Sequence, residues 1–302
     1  MRTYLYRAIV YLSKIMGTWV FVVFAWIVST GFFMLFPRRV DTSIRFYRTL
    51  FPEKNWLSHL GCAWRQFHNF TDVFFDRFML QEFDDIHYTS EGLEGLEQAL
   101  QEKTGAILLM SHMGNWEVAA HLLKRNLPDI KLLLYMGVKH KEQIEGIQKK
   151  SLSRNGVRVI AVDEQGGSPF DIVEGIHFIN SGGLVSLTGD LIWKRDQRSV
   201  PVNFLGLDAL FPEAPYLFSL LSGAPIFVFF AFRTGGKTYH FTLSEPIFVK
   251  ASSRAERAAA IRQAAQRYAD ILDETVRSYP LQWYHFKPLQ VPEPNETAMV
   301  AS

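Results

Sequence analysis

Ile107-Leu108-Leu109-Met110-Ser111-His112-Met113-Gly114-Asn115-Trp116-Glu117 is the stretch on which the reading of this chain turns. It opens as an apolar run, strand-like in length and character. A Ser-His pair ends the run, a Gly-Asn turn follows, and an amphipathic segment begins. Asn115 suits the N-cap of a helix, and Glu117 its first turn, where negative charge is favoured. The pattern holds a histidine at the mouth of a strand-to-helix turn with a carboxylate five residues on. Such a pair is the minimum machinery for taking a proton from a hydroxyl. A helix start whose glutamate serves only the dipole, beside a solvated histidine, is the plain alternative.

Spacing alone does not decide between them. His140 and His240 also have a glutamate five residues on, at Glu145 and Glu245. In the Lys-rich helical stretch around His140, five positions diverge by about 140° around the axis. In the alternating run Thr238-Tyr239-His240-Phe241-Thr242, an odd offset puts the partner on the opposite face. Only His112 has a turn between histidine and glutamate.

Outward from this stretch the chain alternates. Short apolar strands at 106–110, 131–136, 157–162 and 184–188 are separated by amphipathic stretches at 115–126, 141–154 and 169–180. That order predicts an α/β sheet with helices packed on it. Further strands follow at 200–204, 225–232 and 238–249, with Gly235-Gly236-Lys237 as a hairpin turn and a final helix over 252–278. Residues 42–103 read as helical. Their aromatic run (Trp56, Trp64, Phe67, Phe70, Phe74, Phe75, Phe78) steps by three and four residues and suits core packing.

From Ile15 to Phe36 the sequence carries no charge. This matches the roughly 20 residues needed to cross a bilayer. Arg2, Arg7 and Lys14 flank one end, and Arg38, Arg39, Arg45 and Arg48 the other, so charge does not fix orientation. The stretch ends in bulky residues rather than a cleavage site, and is expected to be retained. The organisation expected is a membrane anchor helix over 1–41, a catalytic domain over 42–290 and a disordered tail over 291–302.

A net charge of +2 implies no global nucleic-acid field, and the single cysteine, Cys62, excludes an internal disulfide or a cysteine zinc cage. There is no G-x-S-x-G elbow, no G-x-G-x-x-G and no histidine set with metal-ligand spacing. Proton-transfer chemistry without metal or cofactor is what remains.

Ser111-His112-Met113-Gly114-Asn115-Trp116-Glu117 behind an apolar N-terminal helix resembles the first motif of the late acyltransferases of lipid A biosynthesis. These belong to the lysophospholipid/glycerol-phosphate acyltransferase superfamily. Thr188-Gly189-Asp190, Val202–Gly206 with Ala209–Pro212, Ser222–Ile226 leading to Phe232-Arg233, and Pro280-Leu281-Gln282-Trp283 agree with further motifs in order. The family's aromatic-Arg-Pro stretch after the second strand is absent, the chain reading Tyr135-Met136-Gly137-Val138-Lys139-His140.

The resemblance implies an N-terminal transmembrane helix and helical segment, then a mixed α/β domain of the glycerol-phosphate acyltransferase type. It implies acyl transfer from an acyl carrier protein or coenzyme A thioester to a hydroxyl of a lipid A precursor or related glycolipid. A lysophospholipid or aminolipid acceptor, or hydrolysis of the thioester, is the alternative. In that reading His112 is the general base, Glu117 fixes its tautomer, and the Gly114–Asn115 amides or the Asn115 side chain hold the oxyanion. Asp190 positions the acceptor, or caps a strand–loop turn. Arg233 holds a phosphate, or is a solvated strand end. Arg154, Lys139 or Arg195 takes the place of the missing arginine. Lys139, Lys141, Lys149, Lys150, Arg154 and Arg158 receive an acidic carrier protein or anionic headgroups, or form a solvated helix face. The expected setting is the bacterial inner membrane, single-pass or monotopic, with the catalytic domain cytoplasmic, no cofactor and no nucleic acid.

Overall fold

The computed structural model describes residues 11–13, 15–82, 86–126, 129–137, 157–162, 169–192 and 197–291. The chain begins with three helices, α1 (Trp19–Leu35), α2 (Pro37–Leu50) and α3 (Trp56–Glu82). Then come β1 (His87–Glu91), α4 (Glu94–Gln101), β2 (Ala106–Met110), α5 (Trp116–Asn126), β3 (Leu132–Gly137) and β4 (Arg158–Val162). After α6 (Pro169–Asn180) and β5 (Leu184–Thr188), the strands β6 (Ser199–Phe204) and β7 (Leu207–Pro212) precede α7 (Ala214–Ser222). The last elements are β8 (Ile226–Arg233), β9 (Thr238–Leu243), α8 (Arg257–Ser278) and a 3-10 turn at Pro280–Gln282.

Seven strands form one sheet in the order β1-β9-β8-β2-β5-β3-β4, and β6 pairs with β7 as a separate hairpin. From β8 to β4 all neighbours are parallel, while β9 runs against β8 and beside β1. The chain winds from β2 out to β3 and β4, returns through β5 between β2 and β3, and then crosses to β8 on the far side of β2. In sheets of this kind ligands bind beyond the carboxyl ends of the strands where the winding reverses. That point lies at β2.

Every residue of β2 is buried, as expected of a parallel strand covered on both faces. Ile107 and Leu109 enter one core with Val185, Val228 and Tyr268; Ala106, Leu108 and Met110 enter the other with Leu96, Leu132 and Phe227. The two-residue period of the strand thus supplies both layers.

The α/β sheet is as expected, but three boundaries differ. β1 lies inside the stretch read as helical. It is an edge strand in which only Tyr88 is even partly buried, so it carries no apolar run to betray it. β9 stops at Leu243, just before Ser244-Glu245-Pro246, and α8 starts at Arg257. The stretch 141–154 and the tail beyond Val291 fall outside the described residues.

The uncharged stretch 15–36 does not form one unbroken helix. Gly17, at φ +102°, interrupts it before Trp19, and Pro37 begins α2. Proline has no N–H to continue a helix but fits its first turn. The two helices meet at 90°, and no single described helix is long and apolar enough to cross a membrane; α1 and α2 meet that test only as a bent pair. One face of α1 packs on α3, with Phe21 against Phe75 and Phe33 against Trp64 and Phe67. The Ser29 hydroxyl donates to the Phe67 carbonyl at 2.7 Å. Trp19, Val23, Ile27, Met34 and Leu35 are exposed.

Candidate active site

Met110 pairs with Thr188 in the parallel ladder of β2 and β5. The ladder continues past both strand ends, since the Gly189 N–H donates to the Met110 carbonyl at 2.8 Å. Position 190 therefore comes opposite position 112. The Asp190 carboxylate uses both oxygens there: Oδ2 accepts the His112 backbone N–H at 2.8 Å, and Oδ1 faces His112 Nδ1 at 3.0 Å. A carboxylate only accepts, so Nδ1 carries the proton and Nε2 keeps its lone pair. The Asp190 side chain is fully buried, while the imidazole is 29% exposed. Burial pushes His112 toward its neutral form, but the Asp190 charge and hydrogen bond outweigh this and raise its pKa above the ordinary histidine value. Burial would likewise raise Asp190, but His112 holds it down, near 2.

This corrects the partner expected for the histidine. Glu117 lies in the first turn of α5, 2% exposed, yet the carboxylate on Nδ1 is that of Asp190. Strand register between residues 78 positions apart selected the partner, whereas the local spacing had pointed to Glu117. Asp190, read as an acceptor-positioning group, is bonded instead to His112.

The loop after His112 is clamped by the C-terminal segment. The Gly114 N–H donates to the Gln282 carbonyl at 2.8 Å, the Asn115 N–H to the Ala231 carbonyl at 2.9 Å, and the Tyr284 N–H to the His112 carbonyl at 2.8 Å. Gly114 has φ +65°, and a Cβ there would lie 2.0 Å from the Ala231 oxygen. Glycine is required on both counts. These bonds also correct the oxyanion assignment, because both turn amides are already committed. The Asn115 side chain is partly committed: one N–H of Nδ2 donates to the Tyr239 hydroxyl at 3.1 Å, and Oδ1 caps α5 by accepting the Val118 N–H at 3.4 Å.

The Gln282 side chain acts as a surrogate strand on β8. Its Oε1 accepts the Arg233 N–H at 2.9 Å, and its Nε2 donates to the Arg233 carbonyl at 3.0 Å. Trp283 donates from Nε1 to Asp190 Oδ2 at 3.4 Å and stacks on His285 at 5.0 Å between ring centroids. His285 meets the His112 ring edge-on at 5.5 Å. Its Nδ1 lies 3.0 Å from the Lys287 carbonyl, which fixes the proton on Nδ1, and burial lowers its pKa to about 4. It is a neutral neighbour that adds no positive charge beside His112.

Arg233 does not present a free guanidinium. Nη1 donates to Asp72 at 2.8 Å, Nε lies 2.8 Å from Asp76, and Nη2 donates to the Gly236 carbonyl at 3.0 Å. Its reading as a phosphate holder is therefore corrected, since two carboxylates of α3 occupy it. Of the basic cluster, Arg158 starts β4 and pairs with Glu174 at 2.5 Å. Lys139, Lys141, Lys149, Lys150, Arg154 and Arg195 lie outside the described residues.

On the face of the sheet covered by α4 and α5 lies an apolar chamber of about 210 Å³, lined by Leu108, Met110, Trp116, Ala120, Leu123 and Phe229 among others. Met110 and Trp116 bracket the His112 loop, so the chamber adjoins that histidine. No group of three or more metal-ligating side chains occurs among the described residues.

Sequence reasoning missed Asp76, Tyr239 and His285. Asp72 and Asp76 did carry a signal: two acids one turn apart within an aromatic helical stripe call for a buried cation. Comparison with curated proteins gives no match. The family model for bacterial lipid A biosynthesis acyltransferases matches residues 48–289. That span contains the His112 loop, Asp190 and the C-terminal clamp, and the chain belongs to the bacterial lipid A biosynthesis acyltransferase family, a family of acyltransferase enzymes.

Proposed function

We propose that this acyltransferase moves a fatty acyl chain from a thioester of acyl carrier protein or coenzyme A to a hydroxyl of a lipid A precursor or related glycolipid. The observation that carries the reading is the His112–Asp190 pair at the carboxyl end of two central strands, adjoining an apolar chamber. Nε2 of His112 takes the proton as the hydroxyl oxygen attacks the thioester carbon. Asp190 holds the proton on Nδ1 and stabilises the imidazolium that forms. The C–O bond forms, the C–S bond breaks, and the imidazolium returns its proton to the departing thiolate. No acyl-enzyme and no cofactor takes part. The chamber receives the acyl chain, where apolar burial contributes roughly 0.8 kcal/mol per methylene.

The exposed face of α1 rests on the inner membrane of a bacterium, with the catalytic domain on the cytoplasmic side. Trp19, Val23, Ile27, Met34 and Leu35 form an apolar patch, and α2 carries Arg38, Arg39, Arg45 and Arg48 beside it. Large exposed apolar patches mark interaction sites, and basic flanks suit anionic headgroups.

Mass spectrometry of lipid A and total lipids tests this in cells with the gene, without it, and with His112→Ala. A species heavier by one acyl chain, seen only with the intact gene, is expected and identifies the acceptor. Persistence of that species in His112→Ala cells would remove His112 as the base. Thiol release with no acylated product in any lipid class would make the enzyme a thioesterase.

A further inference from the structure

The ion pairs that occupy Arg233 extend into the catalytic loop. Asp76 of α3 is fully buried, Tyr239 is 1% exposed and Asn115 is 4% exposed. Asp76 Oδ2 accepts the Tyr239 hydroxyl proton, Tyr239 accepts from Asn115 Nδ2, and Asn115 Oδ1 accepts the Val118 N–H. Each direction follows from the one before. A carboxylate only accepts, so the tyrosine must spend its single proton on Asp76. The phenol oxygen then only accepts, so Asn115 must offer it the NH2. The asparagine carbonyl is left facing Val118, where it caps α5.

Arg233 Nε also converges on Oδ2, at 2.8 Å, so an asparagine at 76 would keep its oxygen there and with it the direction of the relay. An apolar side chain at position 76 removes the acceptor instead: the tyrosine proton becomes free to point at Asn115, and the asparagine amide turns over. Oδ1 then leaves Val118 and the cap at the end of the His112 loop is lost.

We propose that Asp76 is a positioning residue for acyl transfer, its carboxylate setting, through Tyr239, the orientation of Asn115 and thereby the geometry of the 112–115 loop. The assignment rests on the reading of His112 as the base. Burial raises the Asp76 pKa to about 6 against the pull of Arg233 and the Tyr239 hydroxyl. The carboxylate is charged at neutral pH, with Asp72, Arg233, Tyr239 and Tyr284 as the ionisable groups around it. The relay also ties α3, the helix on which α1 rests, to the active-site loop.

The test uses the full chain in detergent, with palmitoyl-coenzyme A as donor and a bacterial total lipid extract as acceptor. Thiol release is followed for the wild type, Asp76→Leu, Asp76→Glu, Tyr239→Phe and the Asp76→Leu/Tyr239→Phe double variant, with His112→Ala as the zero. Amide hydrogen exchange of the peptide covering 112–118 is measured alongside. Asp76→Leu and Tyr239→Phe should each lower kcat about tenfold, the scale of one charged hydrogen bond. KM for the donor should stay within twofold. The double variant should lose no more than either single one, because both act through one path. Asp76→Glu should recover part of the rate, and exchange in 112–118 should quicken in both single variants.

Wild-type kcat in a folded Asp76→Leu protein, additive losses in the double variant, or unchanged exchange would each overturn the assignment. Should Asp76→Leu fail to fold, Tyr239→Phe, which removes one oxygen, carries the same test. Wild-type thiol release no faster than His112→Ala would defeat the acyl-transfer reading instead. The exchange measurement would then decide the relay alone.

Discussion

Replacing Asp190 with asparagine separates the two carboxylates that compete for the role of orienting His112. In the wild type, Asp190 Oδ2 accepts the His112 backbone N–H and the Trp283 Nε1–H, while Oδ1 faces Nδ1. Two donors converge on Oδ2, so an asparagine must keep its oxygen there. Its NH2 is forced into the place of Oδ1, where it donates to Nδ1 and moves the imidazole proton to Nε2. The base is then capped by its own proton. The same inversion in a Ser–His–Asp triad costs on the order of 10⁴ in kcat, and a loss of about 10³ or more, roughly 4 kcal/mol of barrier, is expected here.

The pH profile gives a second readout with a definite sign. His112 acts as a base only when neutral, so kcat/KM rises with pH through its pKa. Burial lowers that pKa and Asp190 more than restores it. The wild-type limb should therefore lie above the unperturbed histidine value near 6.5. In Asp190→Asn only the lowering by burial and by the Lys287 charge remains, so the limb moves below it. The assay is thiol release from palmitoyl-coenzyme A across pH 5 to 9, with Glu117→Gln in parallel. A tenfold or smaller loss in Asp190→Asn, beside a thousandfold loss in Glu117→Gln, would refute the reasoning and return the orienting role to Glu117.

The pair also leaves a signature in stability. Asp190 is held below its unfolded pKa, so its contribution is present above about pH 4 and is lost as pH falls through the folded value. His112 is raised, so its contribution is present below about pH 6.5 and fades as pH rises through its folded pKa. The stability gap between wild type and Asp190→Asn, followed by urea unfolding, should be widest between these values. Gly114→Ala, which combines φ +65° with a Cβ 2.0 Å from the Ala231 oxygen, should cost about 3 kcal/mol or more, read as a fall in Tm or loss of soluble protein. Ala120→Phe fills the apolar chamber from α5. It should raise KM for palmitoyl thioesters about tenfold while sparing octanoyl ones, a discrimination of the size one or two displaced methylenes give. Ile27→Glu with Leu35→Glu, at positions 59% and 77% exposed, should leave Tm unchanged and weaken flotation with anionic vesicles at least tenfold.

What was legible beforehand follows the range of the interactions. β2, β5 and the helix after His112 announce themselves because burial on both faces demands an apolar run, and a cap demands Asn115. β1 stayed hidden because an edge strand needs no apolar pattern, and the break at Phe36-Pro37 because composition over a window does not register a bend. The largest miss, Glu117 for Asp190, has the same origin. A glutamate five residues from a histidine is visible by counting; an aspartate 78 residues away becomes visible only once the order β2-β5 and the pairing of Met110 with Thr188 are known. Gly189-Asp190 reads as a motif at a strand end, yet its meaning lies in which strand stands next to it. Register also accounts for the Gln282–Tyr284 segment, whose backbone closes on residues 112–114 as an added strand would. The geometry around His112 is thus a property of the carboxyl ends of two central strands rather than of any one loop. A variant that shifts β5 by a single residue would remove Asp190 from His112 while leaving every residue of the first motif in place.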